Sequence, residues 1–334
     1  MAFLRTLTAV LCLLAVSPVV AGSEQRTAKS DGGWRAAARD RLLSEEVRAR
    51  YGLPLCPEAS DADSIVLHVH GYNSTSSATK VLVDAAREAG LACAGFQYPN
   101  DQPLCESAKL LAAELRRVER LRPGRRFSLV THSMGGLVAR AVIEDAKLDP
   151  GCVDRLIMVA PPTQGTLLAR VAIATDLWEH WLGRSNGSPW TRMTDAIVDG
   201  WGEAATDLRT GSPFLTALNQ RPRNPAVQYT LILGTGASVS GAQIDWLRSR
   251  AEATLVGMRV DDAAGKVDRA FAEVDELVDG KGDGVVAVRR ARLAGVDDTV
   301  ILPFGHLDVS GESPSPAALE ARQIVLDRLL KNRR

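Results

Sequence analysis

The stretch RFSLVTHSMGGLVARAVIEDA, residues 126 to 146, constrains the fold of this chain more than any other. The apolar run Phe127 to Val130 predicts a strand, and Leu137 to Ala146 carries apolar residues at helical spacing. Between them His132-Ser133-Met134-Gly135-Gly136 must turn tightly. A serine hydroxyl is a weak nucleophile until a sharp turn presents it to a base. The N–H groups that follow it at a helix N-terminus can then face developing negative charge. Ser133 is therefore the candidate nucleophile, and Gly135 and Gly136 let helix and strand approach closely around it. A helix merely capped by serine is the competing reading. The full pattern is G-x-S-x-G, and Thr131 stands where its first glycine would be. A β-branched residue crowds that turn, so the elbow must open or Thr131 must turn away from the helix.

Forty basic and forty acidic side chains cancel. Nothing steers the whole protein toward nucleic acid or an anionic membrane, and no nucleic-acid function is expected. The N-terminus has the three-part layout of a secretory signal. Arg5 precedes an apolar core from Leu7 to Val20, and Val19-Val20-Ala21 offers small residues before Gly22-Ser23-Glu24. Cleavage after Ala21 and a secreted or periplasmic protein follow, because the apolar run is short of the ~20 residues that span a bilayer. Processing removes Cys12 and leaves Cys56, Cys93, Cys105 and Cys152, an even number that suggests two disulfides in an exported protein, with free buried thiols as the alternative. No cysteine or histidine cluster has zinc-ligand spacing, and no metal is expected.

Residues 22–60 read as a leader with one helix near 33–50, and residues 61–334 as one domain. There SIVLHVH (64–70) is a strand running into Gly71-Tyr72, whose loop can offer one backbone N–H to an oxyanion. Tyr72 is the candidate donor, with Met134 N–H the second. A helix (76–89), a strand (91–99), a helix (104–121), the elbow and a strand (154–160) follow. This alternation predicts a mostly parallel sheet flanked by helices, with reactive groups at the carboxyl ends of the strands. It stops in an insertion at about 163–226, which holds Trp178, Trp181, Trp190 and Trp201 and reads as a helical cap presenting apolar surface to a greasy substrate. A strand returns at 228–233. A second insertion, about 237–280, reads as a surface helical hairpin.

An elbow serine in such a sheet expects its acid and then its histidine further along. His180 and His306 follow Ser133, and only His306 stands after a strand, TVILPF (299–304). His306 is the candidate base. The candidate acid is Asp283 in Gly282-Asp283-Gly284, leading into a VVAV strand. Asp279, Asp297, Asp298 and Asp308 compete with it, Asp279 most closely. His68, His70 and His132 precede the serine and read as packing or supporting residues.

With these residues assembled, the chain resembles the α/β-hydrolase superfamily. Within it the resemblance is to the lipase and esterase branch that includes small bacterial triacylglycerol lipases and glycosylphosphatidylinositol-deacylase-like proteins. The motifs are VHGYNS, YPND, THSMGG, VAPPTQG, GDGVV and a late FGH, together with DLRTGSPFLTALN (207–219) and an acid-to-base interval of 23 residues. It covers roughly residues 64 to 310. Small lipases of this kind can carry alanine where Thr131 stands. The resemblance implies a Ser133-Asp283-His306 triad working through an acyl-enzyme on lipid or small-molecule esters, without cofactor and with peripheral contact at a lipid interface. A phospholipase, an acyltransferase or a non-catalytic lipid-binding protein are the alternatives.

Overall fold

The computed structural model describes residues 51–72, 74–100, 102–166, 203–237, 240–257, 259–272 and 274–331. The expected signal peptide, the leader helix, His180 and the four cap tryptophans lie outside these residues. The elements run α1 (Pro57–Ser60), β1 (Ser64–Val69), α2 (Ser76–Thr79), α3 (Asp84–Glu88), β2 (Cys93–Phe96), α4 (Leu104–Leu121), β3 (Arg126–His132), α5 (Met134–Ile143) and β4 (Val153–Val159). They continue with α6 (Glu203–Asp207), α7 (Pro213–Gln220), β5 (Gln228–Gly234), α8 (Gly241–Gly257), α9 (Ala263–Phe271), α10 (Val288–Ala291), β6 (Thr299–Leu302) and α11 (Pro316–Leu330).

Among the described residues, strand–helix alternation gives six parallel strands in the order β2-β1-β3-β4-β5-β6. Successive side chains of a strand face opposite ways, so the near-continuous apolar runs read in the sequence bury both faces of the sheet. On one face Leu67, Leu129, Leu156 and Leu231 pack with Leu111 and Leu115 of α4 and Leu137 of α5. On the other, Val66, Val130, Ile157 and Ile232 pack with Val83, Ala86 of α3 and Ala321, Val325 of α11. Each such side chain taken from water stabilises the fold by about 1.5–3 kcal/mol before chain entropy is subtracted.

Strand order reverses between β1 and β3, because the chain steps outward from β1 to β2 and then returns past β1. That leaves a crevice at their carboxyl ends, where loops diverge to opposite sides. The residues after β1 and those after β3 meet there.

Helix α5 is buried along its whole length, and it carries an ion pair into the interior. Arg140 Nε donates to Glu144 at 3.1 Å with both side chains fully buried, Arg223 approaches the same carboxylate at 3.0 Å, and Arg140 Nη1 donates to Asn219 at 3.0 Å. Desolvation lowers the Arg140 pKa and raises that of Glu144, so each charge depends on the other. The last carbonyls of α5 accept from side chains of the segment leaving α7: Arg221 reaches Ala141 O at 3.1 Å and Asn224 reaches Ile143 O at 3.0 Å.

The structure departs from the sequence reading in several places. The single helix over 76–89 is broken by a 3-10 turn at Lys80–Leu82. The strand over 91–99 shortens to Cys93–Phe96. VVAV is no strand, because Asp283 Oδ1 accepts the N–H groups of Val285 and Val286 at 2.9 and 2.7 Å and bends the chain, and a bridge from Gly282 to Ala287 closes the turn. The expected disulfides are absent: Cys56, Cys93, Cys105 and Cys152 are free thiols. The two buried ones belong to cores on opposite faces, Cys152 beside α4 and α5 and Cys93 beside α3, so the sheet separates them.

Residues of the second insertion form α8 and α9, which pack on each other through Ile244, Ala251, Leu255, Val267 and Phe271, a small core of their own. Trp246 of α8 is exposed.

Candidate active site

Ser133 sits between β3 and α5 with φ 52 and ψ −127, a conformation costly for any residue bearing a Cβ. The surroundings hold it there. Its N–H donates to Val159 O of β4 at 2.9 Å, and its carbonyl accepts Gly136 N–H at 3.0 Å. A Cβ on Gly135 would fall 2.6 Å from the carbonyl oxygens of Val69 and His70, so only glycine lets α5 come this close to β1.

Thr131 neither opens the elbow nor turns from the helix. It is fully buried, its hydroxyl donates to Ile157 O at 3.3 Å, and a Cβ on Gly136 would meet that hydroxyl at 3.2 Å. The small residue has moved to the helix side: Gly136 supplies the room that a glycine at 131 would otherwise give.

The three residues expected to work together are brought together. Ser133 Oγ lies 3.0 Å from His306 Nε2, and His306 Nδ1 lies 2.8 Å from Asp283 Oδ2. A carboxylate only accepts, so Nδ1 carries the proton and Nε2 offers its lone pair to the serine hydroxyl. All three residues are buried. The Asp283 carboxylate has every contact directed, with Oδ1 on two backbone N–H groups and Oδ2 on the imidazole. Its loop is stitched to the segment after β4, where Thr166 donates to Val285 O at 2.6 Å and the Thr163 hydroxyl lies within hydrogen-bond distance of Arg290 O and Arg292 O, at 2.7 and 2.8 Å.

The rival acids are engaged elsewhere. Asp279 accepts Gly241 N–H at 2.8 Å at the start of α8, Asp298 binds Arg328 and Thr230, and Asp308 binds Ser315. Asp297 and Asp298 precede β6 and so stand at the opposite end of the sheet.

Met134 is the first residue of α5, where the N–H groups have no intrahelical acceptor. Tyr72 stands in the turn after β1, half-buried against the core. A Cβ on Gly71 would lie 3.0 Å from Ser133 Cβ, so the loop bearing Tyr72 presses directly on the serine.

The sequence reading treated the three upstream histidines alike, and the structure separates them. His132 Nε2 donates to the backbone carbonyl of His306 at 2.9 Å, and the two rings lie 4.9 Å apart. His70 Nδ1 donates to Gly71 O at 3.0 Å. His68 shares a 3.1 Å hydrogen bond with Thr79 on the other face of the sheet. Burial pushes all three below the usual imidazole value, His68 and His70 to about 4 and His132 to about 3. The adjacency of His132 to Ser133 was the available signal; its partner is 174 residues away in sequence. Among the described residues no cluster of His, Cys, Asp and Glu could hold a metal ion.

The fold is that of the α/β-hydrolases. It is shared with a Bacillus licheniformis lipase in its mature form, 19% identical over 79% of this chain and 91% of that one, with a TM-score of 0.51. The propeptide form of that lipase is 20% identical over 80% of this chain and 51% of that one, again at 0.51, so this chain spans about half its length. At such identities the likeness is one of fold. A comparison with curated proteins returns no match. Residues 53–302 match the family described as "Domain of unknown function (DUF7379)", and the chain belongs to that family.

Proposed function

We propose that this protein is an exported serine hydrolase that cleaves apolar or lipid-like carboxylic esters. The observation that carries the reading is the relay from Ser133 Oγ to His306 Nε2 at 3.0 Å and from His306 Nδ1 to Asp283 Oδ2 at 2.8 Å. Ser133 is the nucleophile, His306 the general base and Asp283 the acid that orients it. Ser133 Oγ bonds to the ester carbonyl carbon while its proton passes to Nε2, and the oxyanion rests on the N–H groups of Tyr72 and Met134. The proton then goes to the departing alkoxide as its C–O bond breaks. Water, deprotonated in turn by His306, releases the acid and returns the proton to Ser133.

Apolar substrates are supported by Leu307, 65% exposed directly after the base, and by the tryptophans of the cap segment. The structure of the same fold from Bacillus licheniformis is that of a lipase, in line with this class. Export is supported by the layout of residues 1–21.

The test is hydrolysis of p-nitrophenyl esters from acetate to palmitate by the processed protein beside Ser133→Ala. Turnover in the first and its loss in the second is the expected result, with rates rising toward longer chains. No turnover on any ester, with Ser133 unlabelled by a fluorophosphonate, would remove the hydrolase reading. N-terminal sequencing of the secreted chain checks cleavage after Ala21.

A further inference from the structure

We propose that His70 and Tyr98 are positioning residues that aim the backbone N–H of Tyr72 at the oxyanion, an inference that rests on the hydrolase reading above. The peptide unit joining Gly71 to Tyr72 is planar and trans, so its carbonyl and its N–H point in opposite directions. Whatever holds Gly71 O therefore sets the heading of Tyr72 N–H. The His70 ring holds it, with Nδ1 at 3.0 Å from Gly71 O.

The proton on that ring has one place to be. A carbonyl only accepts, so Nδ1 is the donor, and a neutral imidazole then leaves Nε2 as a bare acceptor. Nε2 is buried without a partner among the described residues, in a residue with no exposed surface. Burial holds the ring neutral, its pKa lowered to about 4, which keeps this tautomer across neutral pH. A histidine serving only to fill space gives up a buried acceptor for nothing, since an apolar side chain of similar size would avoid that penalty. The bond to Gly71 O is what the imidazole provides that a leucine does not.

Tyr98 fixes the ring and the next carbonyl back. Its ring stacks on His70 with centroids 4.3 Å apart and planes 21° apart, and its hydroxyl donates to His70 O at 2.7 Å. Phe96 backs Tyr98 at 5.3 Å. The two carbonyls that flank the Gly71 Cα are thus both anchored, and this residue lies against Ser133. The anchoring lies behind the reacting atoms, so its loss leaves substrate binding in place and weakens what the transition state alone uses.

The experiment compares His70→Leu, His70→Asn and Tyr98→Phe with the wild type in the full chain, using p-nitrophenyl butyrate and an aliphatic trifluoromethyl ketone. The ketone forms a tetrahedral adduct on the serine and places an O⁻ where the oxyanion would lie. In His70→Leu kcat falls ~10- to 100-fold, short of the ~10²–10³ for deleting a donor outright, with KM within about twofold. Affinity for the ketone falls by the same factor. His70→Asn, whose amide N–H replaces the Nδ1–H, recovers both to within about threefold of wild type. Tyr98→Phe falls between. An active wild type with His70→Leu unchanged in kcat and ketone affinity overturns the inference. So does an equal loss in the Leu and Asn variants, which marks simple packing. A wild type inert on every ester and unlabelled by fluorophosphonate removes the hydrolase reading itself and this inference with it.

Discussion

His132 and His306 are joined through the main chain: the imidazole of the residue before Ser133 donates to the carbonyl of His306 at 2.9 Å. The N–H of His306 donates in turn to Asp283 O at 3.0 Å, so the backbone of His306 is held from both sides. Replacing His132 by leucine leaves a buried carbonyl unpaired, at a cost of about 1–3 kcal/mol, and lets the ring drift from Ser133. Unfolding in urea should show that loss, and kcat should fall ~10-fold in parallel. His132→Gln, with an amide N–H near the Nε2 position, should recover most of both.

Gly135 and Gly136 are adjacent, yet their alanine variants should differ sharply. At 135 the new methyl meets two backbone oxygens at 2.6 Å, which cannot yield without moving β1 or α5. Gly135→Ala should unfold the protein or abolish turnover. At 136 it meets the side chains of Thr131 and Met158 at 3.2 Å, which can shift, so the loss should be about 1–3 kcal/mol. Because Thr131 supplies part of that crowding, adding Thr131→Ala should return about 1 kcal/mol of it in a double-mutant cycle on chemical denaturation.

Acid should destabilise the fold before most carboxylates titrate. His68 and His70 are lowered from 6.5 to about 4 and His132 to about 3, chiefly by desolvation. Above pH 6.5 neither folded nor unfolded rings carry a proton. Below it the unfolded chain takes up protons that the folded rings refuse, so stability falls as pH drops toward 4. Each ring contributes about 1.4 kcal/mol per pH unit within that window. Urea unfolding at pH 7, 6 and 5 should trace this decline, and His68→Gln should make it shallower by about a third. A flat profile would show that the rings are hydrated.

The thiols should react in two classes. Cys56 and Cys105 are exposed, while burial pushes Cys93 and Cys152 up to about 11. A thiol-disulfide reagent at pH 8 should label the first pair within minutes and the second only after denaturation. Reducing agent should leave the melting temperature unchanged.

Elements whose burial is written in their own residues were legible. β1, β3, β4 and β5 announce themselves as apolar runs, and the long amphipathic α4 ends where its pattern ends. That Ser133, Asp283 and His306 would meet was legible for a related reason, since chain order and strand ends narrow each candidate position to a few residues. VVAV misled because a β-branched run looks the same whether a sheet or a carboxylate takes its N–H groups. The cysteines misled because parity says nothing about which face of a sheet each occupies. The bonds of His132 to His306 and of His70 to Gly71 carry no local pattern, since a backbone carbonyl can belong to any residue.

The separation of 173 residues between Ser133 and His306 gives the chain a built-in order of competence. The elbow and its crevice can form from β1 to β4, but His306, the proposed base, arrives on the loop after β6, and among the described residues β6 pairs only with β5. A chain still being made, or one whose last strand has come loose, presents a serine at a strained turn with nothing to take its proton. On the hydrolase proposal, reactivity at Ser133 is therefore a gauge of completion, reading out the docking of the last strand as directly as any spectroscopic probe of the whole fold.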